Sequence, residues 1–201
     1  MNRNINLTMV NPDPNDLDES RGMASLLQDA SIRFMDGVSA TKLPFPDNSF
    51  DVVVSISVIE HISDDGDSAA MAEFVRVARP GGKIIITFPV MGEYYEEFRA
   101  HDPYGSQSWD RERKMFFFQR FYDEEAINER LIAQHNIDVI SKEYYIEKKP
   151  GIFDKYMRNC IRKGIFYSST DPLVMLRMFD GPTMDHPKDR MGNCMMVIKV
   201  K

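Results

Sequence analysis

Cysteine is almost missing from this chain: Cys160 and Cys194 are the only two in 201 residues. Two thiols cannot build a disulfide framework, so a reducing, cytoplasmic compartment is expected. The four histidines, His61, His101, His135 and His186, are widely separated, and neither cysteine has a second ligand at close spacing. That leaves no metal site of familiar spacing, and Asp185-His186-Pro187 reads as a turn. No apolar run approaches the ~20 residues of a membrane span, and Met1-Asn2-Arg3-Asn4-Ile5-Asn6 carries no apolar stretch of a secretory signal. Basic charge is in deficit, 25 Lys and Arg against 31 Asp and Glu, which argues against a polyphosphate backbone as main partner. Glycine is sparse at the start, the first being Gly22. No Gly-x-Gly or Gly-Lys-Ser/Thr turn is present to hold a diphosphate. What remains, 43% hydrophobic and 28% charged residues, is the composition of an ordinary globular domain. At this length one domain is expected, burying roughly 70% of its unfolded surface.

Periodicity divides the chain. Ile5 to Val10 alternates as a strand and stops at Asn11-Pro12-Asp13-Pro14. A helix is expected over about Asp16 to Gln28, weakened by Gly22, and then a short strand from Ser31 to Met35. Two prolines keep Leu43-Pro44-Phe45-Pro46-Asp47-Asn48-Ser49-Phe50 irregular. Phe50 to Ile56 and Lys83 to Phe88 are short, β-branched and not alternating, the pattern of strands buried on both faces of a parallel sheet. Between them Ala70, Met71, Phe74, Val75 and Ala78 make a helical stripe that Arg79-Pro80-Gly81-Gly82 ends. The unit is a βαβ crossover. Residues 91–122 form an aromatic, charged insertion. Asp123 then reads as an N-cap with Glu124 and Glu125 in the first turn of a helix over 123–135. Strands follow over Asp138 to Ile146 and Cys194 to Val200, separated by an irregular excursion over 148–190. Both insertions are expected to form a lid or acceptor region on a single domain spanning 1–201.

The stretch from Leu43 to Pro89 resembles the class I S-adenosylmethionine-dependent methyltransferases of the type 11 group. The resemblance rests on Leu43-Pro44-Phe45-Pro46-Asp47-Asn48-Ser49-Phe50-Asp51, on Val58-Ile59-Glu60-His61-Ile62 and on Arg79-Pro80-Gly81-Gly82-Lys83, in that order, with a strand in the first interval and a helix in the second. Phe121-Tyr122-Asp123 opening a later helix is a looser match. It implies an α/β, Rossmann-like, mostly parallel sheet whose last two strands form an antiparallel edge pair, here Asp138 to Ile146 and Cys194 to Val200. It also implies S-adenosyl-L-methionine as cofactor and methyl transfer to a small-molecule or lipid-like acceptor. In an open α/β sheet the ligand sits beyond the carboxyl ends of the strands. By resemblance Asn11, Asp13, Ser39, Ala40, Ser55, Ile56 and Ser57 are the cofactor-binding positions. Arg79 to Lys83, at the opposite edge, reads as a structural turn.

The sequence departs from the family in three places. Counted back from Leu43, Ile5 to Val10 matches the family's second strand, so its first strand and the glycine loop behind it are missing. Asn11 stands where an acidic residue binds ribose, and Ser39-Ala40 where an aspartate precedes alanine. These losses imply impaired cofactor binding by the chain alone, and either a gap lined by unpaired backbone or a sheet closed with Ile5–Val10 beside Val52–Ser55. Three accounts stay open: a truncated chain, a non-catalytic relative serving as a binding or scaffold subunit, or a partner chain that completes the sheet.

Methyl transfer is an in-line displacement that needs positioning, and a general base only for a protonated acceptor. His61, just past a strand that faces the crevice, is the candidate base or else a locally packed histidine; Glu60 beside it reads equally as a solvent-facing carboxylate. Tyr94, Tyr95, His101 and Tyr104 on the insertion are candidate acceptor contacts, or only packing of the lid. Phe116-Phe117-Phe118 with Phe121 reads as core. The basic run Lys148-Lys149, Lys155, Arg158, Arg162 and Lys163 attracts an anionic acceptor or is a solvated helix face.

Overall fold

The computed structural model describes residues 5–27, 32–102, 105, 107–162 and 172–201. The expected elements appear in order. β1 (Leu7–Asn11), α1 (Asn15–Leu27) and β2 (Ile32–Asp36) form a first unit whose two strands run parallel, with Leu7 opposite Ile32 and Asn11 opposite Asp36. The second unit, β3 (Phe50–Ile56), α2 (Gly66–Val77) and β4 (Ala78–Val90), is the βαβ crossover read from the sequence, with Val53 opposite Ile84 and Ser55 opposite Ile86. Gly81, at φ +79°, provides the left-handed residue in the turn behind α2.

The insertion over 91–122 is more regular than its composition suggests. β5 (Tyr95–Arg99), β6 (Trp109–Asp110) and β7 (Met115–Phe121) make a small antiparallel sheet in the order β5-β7-β6. Asp123 caps the next helix as expected, its Oδ1 accepting the Ala126 amide at 2.8 Å. That helix begins as α3 (Glu124–Ala126) and widens into a π-turn over Ile127–Ile132. β8 (Ile137–Glu147), α4 (Ile152–Arg162), α5 (Pro172–Met178), β9 (Phe179–Thr183) and β10 (Gly192–Val200) complete the chain.

The main sheet has the order β3-β4-β10-β8-β9. β10 runs antiparallel to both β4 and β8, so the two late strands pair as the resemblance implied, with β10 inside and β9 extending the margin beyond β8. Ile84, Ile86 and Phe88 of β4 and Cys194, Met196 and Ile198 of β10 point to one face. There they share a core with Ala70, Met71, Phe74 and Val77 of α2 and with Ile127 and Leu131. Side chains alternate across a strand, so one helical layer buries only half of each.

That layer explains one correction. Phe50 to Ile56 read as a strand buried on both faces, yet Val52, Val54 and Ile56 are 46%, 58% and 57% exposed. Val53 and Ser55 face inward, and nothing described covers the other side. β3 is also marginal in its sheet. Among the described residues it pairs with β4 alone and β1 pairs only with β2, so the sheet does not close with β1 beside β3.

Candidate functional site at the carboxyl end of β3

β3 ends at Ile56, and Ser57 turns the chain with φ +50° while its amide donates to Thr87 at the end of β4. A short 3-10 turn, Ile59–His61, then drops Ile59 and Glu60 into the interior. The β5-β7-β6 sheet lies over this turn. His61 Nδ1 meets the Phe118 carbonyl at 2.8 Å, and the two rings lie 5.0 Å apart. Because a carbonyl only accepts, Nδ1 carries the proton and donates, leaving Nε2 as the basic nitrogen of the neutral ring. Burial holds the His61 pKa below its ordinary value, so the ring is neutral at physiological pH. Gln107 donates to the His61 carbonyl at 3.2 Å, and the Arg99 guanidinium lies 3.2 Å over the Phe118 ring. Neither Gln107 nor Arg99 stood out in the sequence, since only the fold of the insertion brings them here.

Glu60 is no solvent-facing carboxylate. It is 2% exposed, and loss of water pushes its pKa up to about 8, against hydrogen bonding from its own amide, the Arg120 charge and Ser57. At neutral pH it is a protonated acid, with Oε1 3.9 Å from His61 Nε2. Its Oε2 and the buried Ser55 Oγ have no hydrogen-bond partner among the described residues. Buried polar atoms without partners are costly and mark a place where a ligand or a missing neighbour belongs.

A second buried set ties the β5-β7-β6 sheet to the start of α2. Asp67, in the first turn of α2, accepts from Arg130 Nε at 2.8 Å, Arg130 Nη2 at 2.7 Å and the Tyr122 hydroxyl at 2.9 Å. Arg120 of β7 donates to the carbonyls of Ile62 at 2.7 Å and Asp64 at 2.8 Å. Charge-assisted bonds of this kind hold the turn and the lid sheet in one geometry.

The other expected contacts are scattered. Tyr94 bonds Glu96 at 2.9 Å and Tyr95 stacks on Phe121 at 5.6 Å, burial raising the pKa of both. His101 is exposed, and Tyr104 lies outside the described residues. Phe117, Phe118 and Phe121 are buried, as core residues should be. Among the expected cofactor positions, Asn11 Oδ1 accepts the Asp13 amide at 2.8 Å and its Nδ2 donates to Asp16, while Asp13 Oδ1 accepts the Asn15 amide. Ser39 Oγ bonds Thr41 at 2.9 Å, Ala40 packs on the core and Ile56 faces outward. Asn11 and Asp13 therefore brace the entry to α1. Among the described residues no glycine turn follows β1, and the outer side of β3 is uncovered.

Two concavities lie elsewhere. One of about 350 Å³ borders Asp123, Glu124 and Lys188, and one of about 650 Å³ borders Lys148, Asp180 and Arg190. Neither is lined by Ser55 to His61. Among the described residues no three His, Cys, Asp or Glu side chains converge as a metal site.

Comparison with known proteins agrees with this architecture. A family model described as a methyltransferase domain matches residues 1–86. An uncharacterized methyltransferase of Mycolicibacterium vanbaalenii is 36% identical over 89 residues, 43% of this chain and 31% of that protein. The demethylmenaquinone methyltransferase of Corynebacterium glutamicum is 33% identical over 87 residues, 40% of this chain and 36% of its own. The chain thus spans well under half the length of these relatives. Among solved structures, the cyclase SpnF superposes with a TM-score of 0.58 at 17% identity, covering 98% of this chain and 67% of its own. The Haemonchus contortus phosphoethanolamine N-methyltransferase 2, solved with S-adenosyl-L-methionine, gives 0.53 at 16% identity, covering 97% of this chain and 43% of its own. Sequence over the first 86 residues is similar to a methyltransferase domain, and the fold over nearly the whole length is the α/β fold of solved methyltransferases.

Proposed function

We propose that this protein takes part in transfer of a methyl group from S-adenosylmethionine to a small-molecule or lipid-like acceptor. The observation that carries the reading is the orientation of His61, locked by Phe118 with its basic nitrogen on the Glu60 side at the carboxyl end of β3. There His61 accepts the acceptor's proton, while Tyr94, Tyr95, His101 and Tyr104 contact the acceptor from the insertion. Asn11, Asp13, Ser39, Ala40, Ser55, Ile56 and Ser57 are the positions assigned to the cofactor once a strand lies along the free edge of β3. That strand comes from a further segment of a longer protein or from a partner chain. The thiols, both free and buried, suit a reducing cytoplasm. Among the described residues no helix is long and apolar enough to cross a membrane.

Calorimetric titration of the 201-residue chain with S-adenosylhomocysteine tests this reading. Weak or undetectable binding is expected, and micromolar affinity would show that the strand is not needed. A non-catalytic binding or scaffold subunit is the second reading, favoured by the internal bonding of Asn11 and Asp13. A cyclase on the same fold is a reminder that this architecture does not dictate methyl transfer. Methyl-transfer assays with the sheet completed separate the two, because only the first reading expects turnover that His61→Ala removes.

A further inference from the structure

Charge is distributed very unevenly along this acidic chain. Residues 148–190 hold nine Lys and Arg against five Asp and Glu, a net +4, while the rest of the chain carries −10. The excess is concentrated around α4. Lys148, Lys149, Lys155, Arg158 and Arg162 are all exposed, as is Arg177 on α5. α4 is strongly two-faced. Ile152, Phe153, Tyr156, Met157 and Cys160 fall on one side at helical spacing, and Lys155, Arg158 and Arg162 on the other. The apolar side rests on the protein, with Cys160 buried and the Phe153 ring 5.7 Å from Phe179. The basic side therefore faces outward. Among the described residues Asp154 opposes it, with Arg158 at 2.5 Å, and Asp180 lies 3.4 Å from Lys148.

Exposed apolar side chains accompany these charges. Lys148 Nζ donates to the Leu176 carbonyl at 2.9 Å, and the Leu176 side chain is 68% exposed, as is that of Met184 just past β9. A cation beside a protruding apolar residue, Lys148 beside Leu176, suits an anionic lipid surface. The charges draw the face to the headgroup layer and the apolar groups enter its boundary. A free small anion would use the charges and leave Leu176 and Met184 in water.

We propose that the outward face of α4, with Lys148, Lys149 and the exposed Leu176, docks on a membrane surface rich in anionic lipid. The docking is peripheral, electrostatic in reach and reversible. It leaves the acidic remainder of the molecule turned toward solvent, since like charge repels it from the same surface. The inference stands on the surface alone and does not depend on the reaction proposed above.

Sedimentation of the 201-residue chain with vesicles of phosphatidylcholine alone, and of phosphatidylcholine with about a third phosphatidylglycerol, tests it. Binding is expected to the mixed vesicles only, and to be lost when salt rises to about 0.5 M, where charges are screened over a few ångströms. The variant Lys155→Gln/Arg158→Gln/Arg162→Gln should bind at least tenfold more weakly, and Leu176→Ser should weaken binding without altering its salt dependence. A control removing as much charge elsewhere, Arg33→Gln/Lys42→Gln/Arg111→Gln, should bind as the parent does; circular dichroism shows that each variant is folded. Equal binding to both vesicle types, no binding to either, or equal losses in the two triple variants overturns the proposal. So does binding of a short DNA duplex at least as tight per phosphate, which would assign the face to nucleic acid.

Discussion

The Asp67 carboxylate and the Arg120 guanidinium, both without exposed side-chain surface, lie 3.4 Å apart between the start of α2 and strand β7. The pair is one corner of a set in which Asp67 also receives Arg130 and the Tyr122 hydroxyl. Two guanidiniums converge on one acid, so the acid holds the balance of charge. Removing one partner of a buried ion pair costs about 3–5 kcal/mol, because the other charge stays buried and unpaired.

Asp67→Ala is therefore expected to destabilise the chain by about 3–5 kcal/mol in urea unfolding, whereas Tyr122→Phe, which removes one neutral donor, should cost about 1 kcal/mol. Equal costs for the two variants would mean that Asp67 contributes only its bond to the tyrosine.

Glu60 and His61 give stability an opposed pH dependence. Below the unfolded value near 4.5 both states hold the Glu60 proton; between there and about 8 the native state keeps a proton that the unfolded chain releases. Stability from this group is thus fully present at low pH and falls as pH rises to about 8, by at most about 5 kcal/mol. Glu60→Gln keeps the neutral shape and removes the slope. Relative to the parent it should gain stability steadily from about pH 5 to about pH 8.5, read from urea midpoints.

His61 acts in the other direction. Its pKa is lowered by burial, so the unfolded imidazole takes a proton below its value of 6.5 that the native ring refuses, and stability drops as pH falls. In His61→Gln the acid-side loss should flatten while the Glu60 loss between about pH 5 and about pH 8 persists. A variant whose two limbs change together would show that Glu60 and His61 titrate as one coupled unit.

Much of this was legible in the sequence because it rests on local pattern. Proline and glycine behind α2, the Asp123 cap and the β-branched run at Phe50 each name their own element. The sidedness of β3 was not legible. Val52, Val54 and Ile56 have the chemistry of buried residues, and only the surrounding layers decide whether that face is covered. The lid eluded composition for a similar reason. Arg120 and Gln107 act through partners more than 40 residues away, Ile62 and Asp64 for Arg120 and His61 for Gln107, and helix or strand periodicity carries no trace of such pairings. Asn11 and Asp13 carry local bonds that the pattern did not show: the Asn11 Oδ1 accepts the Asp13 amide and the Asp13 Oδ1 accepts the Asn15 amide at the start of α1.

The two faces of β3 should respond differently to substitution. Val54 is 58% exposed, so Val54→Thr keeps the β-branched backbone preference and removes little buried area, and its stability should change by no more than about 0.5 kcal/mol. Ile86, fully buried on β4 opposite Ser55, is the contrast: Ile86→Ala should cost about 2–5 kcal/mol through lost packing and the cavity left behind. Solubility should move the other way. An apolar strand edge that pairs on one side only is a template for self-association, and a charge there blunts it. Val54→Lys should lower light scattering at high concentration while leaving the urea midpoint nearly unchanged. Should Val54→Lys instead unfold the chain, that face is covered in solution.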